Sequence, residues 1–202
     1  MQSGDLPLRQ VSETALTGGP VRFDYTALDV GRGRLFIAHM GASELIEVDV
    51  RAHTVVRTVP DLPDVHGVIV VPDKRRVYAT ATGANQLVAI DEDTGEVVFR
   101  APTDTYPDGI AYDPIRRTVW TTNEIAGTET VIDADTGAVR VAAESGWVSI
   151  FDHVHGRLSP RGSAHLADGA HSLALDTATH HSYFPVPKGH DGSPVLWELE
   201  PT

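Results

Sequence analysis

Three sets of residues in this chain recur at an interval of 42 positions, and a fixed period decides a fold before local propensity does. Asp24, His66, Asp108 and His171 each open a short apolar segment bounded by turn residues, at successive spacings of 42, 42 and 63. The aromatic residues of the following segment, Phe36, Tyr78, Trp120 and Tyr183, repeat with the same three spacings. An acid closes a third segment at Asp49, Asp91, Asp133 and Asp152, spaced by 42, 42 and then 19.

The segments are β-strands in character. Val68 to Val71 and Leu87 to Ile90 are short β-branched runs ended by Pro or Asp, too short for the i, i+3, i+4 pattern of a helical repeat. After the third strand, Asp93-Thr94-Gly95 and Asp135-Thr136-Gly137 supply side chains to cap a turn and a glycine that tolerates positive φ, and a fourth strand follows. Four antiparallel strands in about 42 residues make a propeller blade, whose innermost strands line a central channel. The predicted fold is therefore all-β, a β-propeller of about four full blades plus one incomplete.

The period breaks at one place. Val139 to Ala143 stands where a fourth strand belongs after Asp133 and also where a second strand belongs before Asp152. The expected division is 1–20 as an N-terminal closing strand, blades at 21–60, 61–102 and 103–143, a partial blade at 144–163 and a last blade at 164–202. The terminal segment Pro194 to Glu200 reads as a third strand without a fourth after it, and Leu8 to Leu16 is predicted to supply that strand and close the ring.

The run Asp108-Gly109-Ile110-Ala111-Tyr112-Asp113-Pro114, followed by Thr118 to Asn123 and Thr130 to Asp133, resembles the repeats of YVTN-repeat (YncE-like) β-propellers. The resemblance implies a bacterial propeller shortened by about two and a half blades, and a family that is commonly exported. Met1 to Gln10 lacks the basic start and apolar stretch of a signal peptide, so an exported origin would make this a mature form or a fragment. No apolar run is long enough to span a bilayer, and a soluble protein is expected.

Charge and composition narrow the chemistry. With 28 acidic against 16 basic residues the net charge is −12, which argues against nucleic acid as a partner. Cysteine is absent, which removes disulfides, thiolate zinc sites and Cys nucleophiles. The chain holds no Gly-x-Ser-x-Gly elbow, His-Glu-x-x-His pair, P-loop or Gly-x-Gly-x-x-Gly, and Gly31-Arg32-Gly33-Arg34 lies between two strands.

Equivalent residues at the head of every innermost strand gather round one mouth of a propeller channel, so Asp24, His66, Asp108 and His171 are the candidate ligand or metal set. Imidazole and carboxylate suit Zn²⁺ or Mn²⁺, and carboxylates with carbonyls suit Ca²⁺. The competing reading is structural: an Asp or His at a strand head bonds to nearby turn backbone. His39 and Asn123, equivalent in the second strands, are candidates for a channel pocket or for hydrogen bonding at the blade edge. Of His153, His155, His165, His180, His181 and His190, most are expected in solvated turns, with His180-His181 or the His153-x-His155 pair as the alternative chelating arrangement. These residues lead to a non-catalytic propeller that binds a small molecule or protein, with a metal-dependent hydrolase or lactonase as the alternative and self-association through an exposed blade edge as a further expectation.

Overall fold

The computed structural model describes residues 11–143, 147–154, 157–168, 174–175, 182–188 and 193–199. Among them there is no α-helix, so none long and apolar enough to cross a membrane. The first blade comprises β1 (Thr26–Asp29), β2 (Arg34–His39), β3 (Glu44–Asp49) and β4 (Thr54–Val59), and the second β5 (Val65–Val71), β6 (Arg76–Ala81), β7 (Gln86–Asp91) and β8 (Val97–Pro102). Both are antiparallel meanders in chain order.

Period-2 alternation explains why such continuous apolar runs are strands: each middle blade buries both faces. On β7, Val88 and Ile90 join a core with Phe36, Ala38 and Leu45 of the first blade. Leu87 and Ala89 point the other way and join Val119 and Ile132 of the third. Full burial of each Val, Leu or Ile contributes about 1.5–3 kcal/mol, so these two seams dominate the packing energy.

The third sheet has six strands: β9 (Pro107–Asp113), β10 (Thr118–Asn123), β11 (Thr128–Asp133), β12 (Val139–Ala143), β13 (Trp147–Val154) and β14 (Arg157–His165). β12 pairs on one side with β11, placing Val139 opposite Ile132, and on the other with β13, placing Val139 opposite Phe151. The segment that fits two frames in the sequence occupies both. The strands of the expected 144–163 partial blade are thereby absorbed into the third sheet.

The last sheet comprises β15 (Ala174–Leu175), β16 (Ser182–Val186) and β17 (Val195–Leu199). Phe184 and Val186 pack with Val131, Trp120 and Trp197, joining this sheet to the third. Of the segment expected to close the ring, Leu8 to Gln10 lies outside the described residues and residues 11–16 carry no strand. The next stretch lies against the first blade, with the Thr17 and Thr58 hydroxyls 3.0 Å apart.

Candidate functional site

The innermost strands sit side by side through one repeated contact. Tyr25 N–H points at the His66 carbonyl at 3.4 Å, and the equivalent Gly67 lies so close to the Asp108 carbonyl that an added Cβ would run into it. In the second blade a hydroxyl bridges this junction: Gly67 N–H donates to Thr80 Oγ1 at 2.7 Å, and Thr80 donates to the Asp108 carbonyl at 3.2 Å. Gly109 N–H donates to Thr122 Oγ1 at 3.1 Å, one repeat later. The first blade has Ala38 at that place, so its backbones meet directly. This threonine pair was visible in the sequence through its spacing of 42.

The strand-head residues are held locally. Arg22 Nη2 donates to Asp24 Oδ2 at 2.8 Å. His66 is buried, and its Nδ1 lies 2.6 Å from the Asp64 carbonyl. A carbonyl only accepts, so Nδ1 carries the hydrogen and Nε2 of the neutral ring is left to accept from Tyr106 OH at 3.3 Å. The Tyr106 ring meets the imidazole edge-on, with centroids 5.3 Å apart. Asp108 differs, because its Oδ1 is buried with no hydrogen-bond partner among the described residues. His171 lies outside those residues, and within them no three His, Asp or Glu side chains converge as a metal-binding group.

His39 and Asn123 end equivalent strands and bond across to the start of the next. His39 Nδ1 is 2.9 Å from Glu44 Oε1, with the Phe23 ring stacked on the imidazole at 4.3 Å. Asn123 Nδ2 donates to Thr128 and Thr130 Oγ1, both at 2.9 Å. His153 and His165 lie in β13 and β14 and not in turns, because β12 recruits that hairpin as sheet. His165 Nε2 is 3.0 Å from Asp168. His155, His180, His181 and His190 lie outside the described residues.

The turn acids also take roles different from those expected. Asp91 and Asp133 cap the turns: Asp91 Oδ1 accepts from the N–H of Asp93 and Thr94, each at 3.0 Å, and Asp133 Oδ1 from those of Asp135 and Thr136 at 3.0 and 2.8 Å. The bond from Thr94 N–H holds the Asp91 carboxyl below its ordinary range. Asp93 and Asp135, freed from capping, reach across to neighbouring turns. Arg32 and Arg75 bracket Asp93 at 2.5 and 2.9 Å, and Lys74 and Arg117 bracket Asp135 at 2.5 and 2.7 Å.

Blades fanning round adjacent inner strands define a β-propeller, and solved structures agree. The chain is similar to Kuenenia stuttgartiensis hydrazine synthase at 16% identity and TM-score 0.50, over 93% of this chain and 67% of that one. It is also similar to the Myceliophteria thermophila Cps50 (Swd1) β-propeller domain at 9% identity and TM-score 0.50, over 94% of this chain and 74% of that one. No family model and no curated protein sequence matches the chain. At these identities the likeness establishes the fold alone.

Proposed function

We propose that the chain is a non-catalytic binding propeller of the YVTN-repeat type, taking a small polar molecule or a protein segment at the mouth formed by Asp24, His66 and Asp108. The carrying observation is Asp108 Oδ1, a buried carboxylate oxygen with no partner among the described residues, whereas its equivalents Asp24 and His66 have theirs. A buried acceptor left unpaired is costly, and a ligand N–H or O–H would complete it. The same oxygen favours the second reading, a divalent cation (Ca²⁺, Mn²⁺ or Zn²⁺) that polarises an ester or lactone carbonyl. Such an ion on His66 Nε2 would have to displace Tyr106 OH.

Melting curves of untagged protein with chelator and with each of the three ions separate the readings. Stabilisation by one ion that Asp108→Ala abolishes, together with ester or lactone turnover, establishes the metal enzyme. Absence of both, with Asp108→Asn abolishing capture of ligands from a small-molecule or peptide library, supports the binder. Association with a second copy belongs to the same reading: among the described strands β14 pairs on one side only, with β13. Pro160 and Arg161 within it oppose extended edge pairing, so dimerisation would use a short stretch and show in sedimentation.

A further inference from the structure

The seam between the first two blades has the same geometry as the next one and a different chemistry. Val71, Ala89, Phe99 and Ala134 make the second seam apolar. Forty-two positions earlier stand Asp29, Glu47, Arg57 and Glu92. The Arg57 side chain lies against Gly95 as the Phe99 ring lies against Gly137. Arg57 and Glu47 neutralise each other through a 2.8 Å ion pair.

Asp29 and Glu92 are both 2% exposed. Asp29 Oδ1 accepts from Arg32 N–H at 3.1 Å, whereas Asp29 Oδ2 and both Glu92 oxygens are buried without a conventional donor. Arg32 Nη1 approaches Glu92 Oε2 at 3.3 Å while its Nη2 is held by Asp93, so Asp29 and Glu92 share only part of one cation between them. Two ionised carboxylates so placed would repel each other in a medium that screens poorly, and a proton on one supplies the missing donor.

We propose that this seam binds one proton, carried by Glu92 and donated to the Asp29 carboxylate, and that losing it loosens the first blade from the second. The charged groups around the pair are Arg32 on the β1–β2 turn, Arg34 and Glu47 on β2 and β3, Arg57 on β4, and Arg75 and Asp93 on the turns of the second blade. Burial, then the hydrogen bond with Asp29, lifts the Glu92 carboxyl above its ordinary range against the pull of Arg32. A carboxyl raised on folding stabilises fully below its unfolded value, and that stability is lost as pH rises through the folded one. Glu47 acts in the same sense, because burial raises it against Arg57 and Arg34.

The test is thermal melting from about pH 5 to about pH 8 on wild type, on Glu92→Gln, whose amide donates at every pH, and on the double variant Asp29→Val/Glu92→Ala, which installs the second seam's residues. Wild type loses melting temperature with rising pH, and both variants lose most of that slope while keeping the share due to Glu47. Carbon-13 titration of the Glu92 carboxyl, which requires no variant to fold, shows a transition above the ordinary glutamate range. An unchanged slope in Glu92→Gln, or a Glu92 carboxyl titrating like an exposed glutamate, overturns the proposal.

Discussion

Arg32 of the first blade and Asp93 of the second meet at 2.5 Å across their seam, and one repeat later Lys74 and Asp135 meet at the same distance. The polar rim thus repeats from one seam to the next even where the seam interiors differ in chemistry. It is built from turn residues that a strand-by-strand reading passes over.

Because Asp135 is 45% exposed, the Lys74–Asp135 pair is worth little beyond specifying register. A double-mutant cycle with Lys74→Ala and Asp135→Ala is expected to give a coupling of about 0.5 kcal/mol, shrinking at about 1 M salt as the charges are screened. Denaturant melts of the four proteins measure it.

Positions 33, 75 and 117 are equivalent, and all take positive φ: 67° at Gly33, 49° at Arg75 and 54° at Arg117. Arginine in the left-handed region costs about 1 kcal/mol relative to glycine, against an exposed ion pair from Arg117 to Asp135. Arg117→Gly is therefore expected to melt higher than wild type at about 1 M salt, where the pair is screened and the backbone relief remains. A lower melting temperature under that condition contradicts this account.

Tyr78 is fully buried and donates to the Ala134 carbonyl at 2.8 Å. Tyr78→Phe should cost about 1 kcal/mol at neutral pH. Burial, and next the charge of Asp135, lift the phenol above its ordinary 10.0. Its contribution is complete below that value and lost as pH climbs beyond it, so wild type should lose its advantage over the phenylalanine variant in alkali. Paired urea melts across that range check the crossing.

Gly67→Ala places a methyl group against the Asp108 carbonyl, a backbone atom that cannot swing aside. The inner strands must separate, and a loss of about 2 kcal/mol or more is expected. Gly19→Ala, at a position where the methyl meets nothing within 4 Å, is the control and should leave the melting curve unmoved.

The blades were readable because burial on two faces imposes an apolar period of 2 inside a repeat of 42, and Phe36, Tyr78 and Trp120 keep that register whatever their size. Val139 to Ala143 was visibly double-booked, yet spacing alone did not say that one strand would pair on both sides. The Asp29–Glu92 contact escaped for a physical reason. It joins residues from different repeats, and acids look surface-bound unless compared with Val71 and Ala134 at the equivalent places. At the mouth, spacing named Asp24, His66 and Asp108 as equivalents but could not separate them; the difference lies in the partners Arg22 and Tyr106 bring to the first two and in the unpaired Oδ1 of the third.

Because β12 is hydrogen-bonded along both edges, the strands from β9 to β14 have no internal boundary at which one module can peel away and leave the next intact. Amide exchange in this region should then behave as a single cooperative opening, whereas the first two sheets, each with its own edges, can open one at a time.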